Sequence, residues 1–381
     1  MKKTLVALAA VSAVSAFAQS TVTLSGNFDV AYTNVGFSDV ARTSTSTITR
    51  SGSTVSSLGT ASTSMIILNA LEDMGGGMKA QAYYEIDPRV GLVDGGSGGL
   101  SAHSHFVGIS GGFGAIKLGS IDSAAVIANG QQSALGTGVG SGYGILQSNV
   151  IAATRYNRAV KWESNVYNGL SGSFYYAPGL TSANTTQTTA YAGLPYQRKV
   201  VEIGLAYANG PLSASFINVA TGASDASAAG AVTPLTSASA VASTSTNILT
   251  AKYEMGANTF YAGYNKGQTL GTAESNAGLY YTPALAAGLD TSGTRLGYKY
   301  TVGEWDFIAS SNKQKIATAT PATAYTTRKV AGFRVVDNLS KTTAVYVGYE
   351  GYNTGTDLSG TGGSIDGGKY TLVSVGIKKA F

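Results

Sequence analysis

The sequence predicts an all-β chain, folded as a transmembrane antiparallel β-barrel of about 16 strands. Three observations carry that expectation. The last thirteen residues, Lys369–Phe381, alternate between apolar positions and small or polar ones. Short glycine-containing turns and long Ser/Thr/Ala/Gly loops take turns along the chain. Only 12% of residues are charged while 44% are hydrophobic, and glycine (50) and tyrosine (23) are both abundant.

In the final segment Val373, Val375, Ile377 and Phe381 share one face, interrupted by Lys379, and Tyr370, Ser374, Gly376, Lys378 and Ala380 share the other. Strand side chains alternate between faces, so this is a strand with one apolar side. Ending on Phe381, it needs a partner strand and an apolar medium for that ring, and a closed barrel in a bilayer supplies both.

The chain opens with Lys2 and Lys3, an apolar stretch and Ala16-Phe17-Ala18. That is the pattern of a secretory signal peptide over residues 1–18, with an apolar stretch too short for a membrane anchor. Residues 19–381 then form a single barrel domain. Losing Lys2 and Lys3 lowers the net charge from +5 to +3. So mild a balance does not call for nucleic acid. There is no cysteine, hence no disulfide framework and no thiolate metal site. Beyond the leader, no apolar run approaches the roughly 20 residues of a membrane helix, whereas a barrel strand needs an apolar residue only at every second position.

The strands follow in order. Thr21–Tyr32 puts Val22, Leu24, Phe28, Val30 and Tyr32 on one face and Thr23, Ser25, Asn27 and Asp29 on the other. A polar Ser/Thr loop is expected from there to about Ala61. Ser64–Glu72 and Met78–Glu85 flank the tight turn Asp73–Gly77, as in a hairpin. His103–Ser110 and Ala115–Gly119 flank Gly111–Gly114. Later short turns are Asn165–Gly169, Ala208–Pro211, Met255–Asn258, Val302–Glu304 and Asp337–Ser340; the long loops are 122–153, 178–197, 220–245, 266–290, 314–326 and 354–368. Alternation of short and long connections gathers all the short turns at one end of a barrel. It also assigns faces: Ile203, Leu205, Leu296, Tyr298, Val347 and Tyr349 outward, and Glu202, Arg295, Lys299 and Glu350 inward.

Catalytic patterns are weak. Gly108-Ile-Ser-Gly-Gly112 and Gly95-Gly-Ser-Gly-Gly99 both match G-x-S-x-G, but that motif needs a strand entering a helix, and the first match runs into another strand. His103-Ser-His105 places two imidazoles on one strand face, too few ligands for a tetrahedral metal site. Ser123–Ala153 is the functional candidate: a loop of this length is functional or disordered, and it contains no charged residue. After it, Arg155-Tyr-Asn-Arg-Ala-Val-Lys-Trp162 directs Val160 and Trp162 outward and Arg155 and Lys161 inward.

These segments together resemble the Gram-negative general porins of the trimeric, β-proteobacterial type. The resemblance rests on Ser20-Thr-Val-Thr-Leu-Ser-Gly26, Leu71–Ala80, Phe106–Gly114, Tyr207–Leu212, Asn338–Thr343 and Val375–Phe381 in the family's order. It implies a 16-stranded barrel, a homotrimer, and a third long loop folded into the lumen as a constriction. It also implies that the last strand pairs with the first to close the barrel, and that Phe381 acts as an assembly signal for the barrel assembly machinery. The family's arginine pattern is matched at Arg155 and departs at Arg158 and Ala159, and the chain has Met65, His103 and Ser120 where family members often carry arginine. Lumen charges are then expected at Arg155, Arg158, Lys161, Lys79, Arg295, Lys299, Arg328 and Arg334, with Asp122 at the start of the loop.

The function expected is an outer-membrane channel for passive diffusion of ions and small hydrophilic solutes, with no cofactor, set among outer-membrane lipid and lipopolysaccharide. Between Ser123 and Trp162 there are three bases and no acid, so the wall bases are expected to be unopposed and the pore mildly anion-preferring. A barrel enzyme at the lipid-facing rim and an exported β-rich adhesin or structural protein are the alternatives.

Overall fold

The computed structural model describes residues 20–38, 54–59, 62–88, 101–143, 155–179, 199–222, 243–272, 285–317, 325–354 and 369–381. The expected signal peptide and most of the long loops lie outside them. The chain runs through β1 (Thr21–Ser38), β2 (Thr54–Gly59), β3 (Met65–Gly75), β4 (Met78–Asp87), β5 (Ser101–Gly111) and β6 (Gly114–Asp122). Helix α1 (Ala124–Gln131) follows, then β7 (Arg155–Glu163), β8 (Leu170–Ala177), β9 (Val200–Asn209) and β10 (Leu212–Thr221). The rest are β11 (Thr244–Met255), β12 (Asn258–Thr272), β13 (Leu285–Val302), β14 (Trp305–Ala317), β15 (Tyr325–Asp337), β16 (Thr343–Thr354) and β17 (Lys369–Ala380).

β2 and β3 each pair antiparallel with β1, every later strand pairs antiparallel with the next in sequence from β3 to β17, and β1 pairs with β17 from Asn27↔Ala380 to Ser38↔Lys369. The sheet therefore closes on itself and leaves no edge, as a bilayer requires. Strands β2 and β3 both pair with β1, at Ala31↔Gly59 and Thr21↔Leu71 respectively, so they are two lengths of one stave in a 16-strand barrel. The polar loop expected up to about Ala61 is thus corrected: β1 continues to Ser38, and Thr54–Gly59 returns as strand. Ser and Thr there read as loop, but backbone pairing with β1 overrides propensity.

The faces expected for β13 and β17 hold. Leu296 is 63% exposed and its neighbour Arg295 is 4% exposed. Val373, Val375 and Ile377 are outward, while Leu372 and Ser374 are buried within. Every expected short turn joins two strands at one end of the barrel, and exposed aromatics, among them Trp162, Tyr300 and Trp305, cluster there. Trp162 Nε1 donates to Phe113 O at 3.0 Å, and Tyr298 Oη donates to Asn258 Oδ1 at 2.5 Å. Rings with an apolar body and one bonded polar tip suit the membrane interface. Among the described residues no helix is long and apolar enough to cross a membrane.

Two buried clusters lie inside, both where residues 123–143 meet the wall. One joins Ala124, Ala125, Val126 and Ala128 to Ile121, Tyr156, Tyr175, Ile217 and Ile248. The other joins Val139 to Val330, Tyr346, Tyr352, Tyr370 and Leu372. A wall that faces only water would gain nothing from inward Ile and Leu; these residues are inward because the loop covers them.

Candidate pore constriction

Ser123 caps α1, its Oγ accepting from Val126 N–H at 3.4 Å. The following Ala-Ala-Val-Ile-Ala is good helix-forming sequence, and Gly130 and the bend at Gln132 end the helix. The cap is completed from the adjoining wall. Glu202 on β9 accepts from Ser123 Oγ at 2.6 Å, from Ala124 N–H at 2.7 Å and from Tyr156 Oη at 3.2 Å. A carboxylate at a helix N-terminus satisfies the unpaired N–H groups and the positive end of the helix dipole together.

From α1 the loop crosses the lumen. Gln132 donates to Ser215 Oγ on β10 at 3.1 Å and accepts from Thr250 Oγ1 on β11. Asn129 Oδ1 accepts from Arg295 Nη2 on β13. Farther on, Arg334 Nη2 on β15 donates to Val139 O at 3.1 Å, Ser310 Oγ on β14 donates to Gly140 O, and Gly140 N–H donates to Glu350 on β16. Tyr370 Oη also donates to Glu350, at 2.6 Å. Two wall carboxylates, Glu202 and Glu350, thus fix the two ends of a segment that touches inner walls from β9 round to β16.

Close approach of loop and wall needs glycine at Gly332. A Cβ on Gly332 would overlap the backbone of Gly140. Gly332→Val is therefore expected to push the loop off the β15 wall while the outward face of that strand is unchanged. The check is single-channel conductance, which should rise or become noisy while the folded band in unboiled gel samples persists.

The structure sorts the expected lumen charges. Arg295 and Arg334 bind the loop directly. Lys161 is buried beneath α1 and lines a cleft of about 320 Å³ together with Gln131, Ser173 and Ser215. Arg155 lies at the loop end of β7, its Nε 3.0 Å from Asp122 Oδ1. Lys299 is half-buried on the inner face nearer the short turns, and Lys79 is exposed at the short-turn mouth opposite Asp73, away from the loop. Arg328 is buried on β15. Arg158 is exposed at φ 55°, in a bulge where Asn157 and Arg158 together oppose Ser120.

Two expectations are corrected. The wall bases are not unopposed: Asp122 pairs with Arg155, and Glu163 takes both Lys161 at 3.0 Å and Lys117 at 2.5 Å. The two histidines do not share a face. A register shift between Tyr84 and Ile86 turns His103 inward between Glu85 (2.8 Å) and Asp87 (3.0 Å), while His105 is exposed beside the outward ring of Tyr84. One extra residue in a strand is enough to reset the alternation. The Gly108–Gly112 motif is the end of β5 and its turn, and Gly95–Gly99 lies outside the described residues.

Alternation points Glu202 and Glu350 inward but does not mark them as loop anchors. An acid on a wall strand facing an uncharged loop carries no local mark of its partner, since the bonds span 78 and 210 residues of sequence.

Comparison with known proteins agrees with this architecture. The chain is 32% identical over 228 residues to outer membrane porin protein 32 of Delftia acidovorans, over 56% of this chain and 58% of that one. It spans little more than half the length of the curated relatives it matches. Among solved structures it superposes on an anion-selective porin from Comamonas acidovorans with a TM-score of 0.67 at 22% identity, covering 95% of this chain and 100% of the other. It also superposes on the trimer form of OmpT, an outer membrane protein of Vibrio cholerae, with a TM-score of 0.60 at 14% identity, covering 95% and 99%. The family model described as Gram-negative porin matches residues 4–357, and in keeping with its closed barrel and inward-folded loop, the chain belongs to the Gram-negative porin family.

Proposed function

We propose that this protein is an outer-membrane channel through which ions and small hydrophilic solutes diffuse passively, exported by a cleaved leader over residues 1–18. The observation that carries the reading is the loop held across the lumen by Glu202 and Glu350. It narrows the barrel and covers Lys161 and Arg295 but leaves Lys117, Arg155 and Asp122 partly open, so passage is sieved by size and biased by charge. A homotrimer surrounded by outer-membrane lipid and lipopolysaccharide, inserted by the barrel assembly machinery with Phe381 as its signal, completes the reading. The trimeric solved relative supports the self-association. The test is reconstitution of purified protein in a planar bilayer: discrete, long-lived conductance steps are expected, and their absence in heat-modifiable, folded protein would refute the channel.

The ion preference is mildly anionic. Around the loop, Glu202 and Glu350 are spent on backbone N–H and hydroxyl donors, and residues 123–154 contribute no acid. The bases Arg295, Arg334, Lys117 and Lys161 outnumber Glu163, which pairs with Lys117 and Lys161, while Asp122 is held by Arg155 and Glu85 and Asp87 are held by His103. The solved relative from Comamonas acidovorans, an anion-selective porin, points the same way. Under a potassium chloride gradient the reversal potential should show chloride permeating faster. Because Asp122 partners Arg155, Arg155→Ala should shrink the preference only modestly, and Asp122→Asn should enlarge it. Both shifts should be greatest in dilute salt, where the Debye length exceeds the roughly 8 Å of physiological ionic strength. A cation-selective wild type would overturn this assignment.

A further inference from the structure

The outer wall of β12–β15 carries a basic patch at its long-loop end. Lys266, Lys313, Lys315 and Lys329 are all exposed. Each lies on the outward face by alternation with exposed apolar neighbours: Tyr264 on β12, Phe307 on β14 and Phe333 on β15. The register gathers them. Lys313 stands directly opposite Lys329, and Lys266 and Lys315 both flank Ser292. Among the described residues Asp290, exposed at the next outward position of β13, is the acid beside them. Among the described residues none of the four ammonium groups forms an ion pair.

Facing like charges directly across a strand pair costs stability unless a counter-charge bridges them. The height of the patch identifies the bridge. Lys313 is eight residues along β14 from Trp305 in the short-turn girdle, and Lys315 is ten. At about 3.4 Å per residue and a strand tilt of about 40°, that is about 21–26 Å along the membrane normal. The apolar band of such a barrel is about 25 Å tall. The lysines therefore stand at the headgroup level on the long-loop side, with Leu296, Tyr298 and Phe333 exposed below them at acyl-chain depth.

We propose that this surface is a binding site for a phosphorylated glycolipid of the outer leaflet, its phosphate groups bridging Lys313, Lys329 and Lys315 and its acyl chains lying over Leu296 and Phe333. The proposal rests on the outer-membrane reading above and goes beyond it by fixing where the lipid sits. Charge supports a phosphate ligand: four lysines against one aspartate leave a net positive platform, and Ser292 and Thr294 add hydroxyls between them.

The test is native mass spectrometry of the detergent-purified full chain with bis-phosphorylated lipid A as probe. Dephosphorylated lipid A, phosphatidylethanolamine and inorganic phosphate are the comparison arms. Wild type should retain the bis-phosphorylated lipid and none of the others. K313Q with K329Q removes two charge-assisted contacts and should weaken retention about tenfold or more, while K313R with K329R should restore it. Single-channel conductance should be unchanged in both, which separates this site from the channel reading. Equal retention by the glutamine variant, or equal binding of dephosphorylated lipid, would overturn the site. Retention of inorganic phosphate alone would make it a free-anion site, and loss of self-association in the glutamine variant would make it a subunit contact; either result rejects the lipid assignment.

Discussion

Removal of Phe381, or replacement of Val375 by aspartate, is expected to deprive the membrane of nearly all folded protein. Phe381 and Gly26 exchange two backbone hydrogen bonds at 3.0 and 3.1 Å, and the Phe381 ring stacks on Phe28 at 5.6 Å between centroids. These contacts extend the β1–β17 seam that closes the barrel. Each backbone bond is worth about 1 kcal/mol net in water and more where no water can replace it. Val375 is 56% exposed on the outer face, opposite Tyr32 across the seam. A charge there costs on the order of 2 kcal/mol near the membrane midplane. The heat-modifiable folded band on gels is the measurement. Wild-type amounts in both variants would show that this strand faces the other way or that closure does not depend on it.

The second large effect is expected from the loop anchors. Glu350→Ala removes the carboxylate that accepts from Gly140 N–H and Tyr370 Oη, and Glu202→Ala removes the one that accepts from Ser123, Ala124 and Tyr156. Each buried hydrogen bond lost to a carboxylate costs about 1–3 kcal/mol. That is enough to shift a loop from almost always seated to often released, by a factor of roughly 5–150. The double variant should keep its barrel, because neither carboxylate takes part in strand pairing, and should show higher conductance and admit larger solutes. Excising residues 124–143 should give the largest rise. Glu85→Ala is the contrast: its partners are His103 and Tyr83 on the wall, so loop-dependent conductance should not follow it. Unchanged conductance in the double variant and in the excised protein would remove the loop from the permeation path.

The barrel was legible because its determinants are local. Alternation at Val373–Ile377 or Leu296–Tyr300 is a two-residue period, and a turn such as Met255–Asn258 is written in four residues. The closing partner of the last strand came from the family resemblance, in keeping with a bilayer that tolerates no open edge. The sequence misled where tertiary pairing outweighs propensity, as at Thr54–Gly59, and where one inserted residue reverses alternation, as between His103 and His105.

The constriction was half legible. That a long, uncharged, small-residue loop follows β6 is a matter of sequence alone. What holds it is not, because Glu202 and Glu350 differ in nothing local from any other inward acid. The pairing of Arg155 with Asp122, and of Glu163 with two lysines, likewise depends on register across β5–β7, and it turns an expected row of free bases into partly neutralised pairs. By itself, then, the sequence determined the closed barrel, its lipid-facing and inner faces, and the presence of a candidate eyelet. The tertiary structure alone decided which wall charges bind the loop and which neutralise one another. Alternation tells which way a side chain points, but only the closed ring tells what stands opposite.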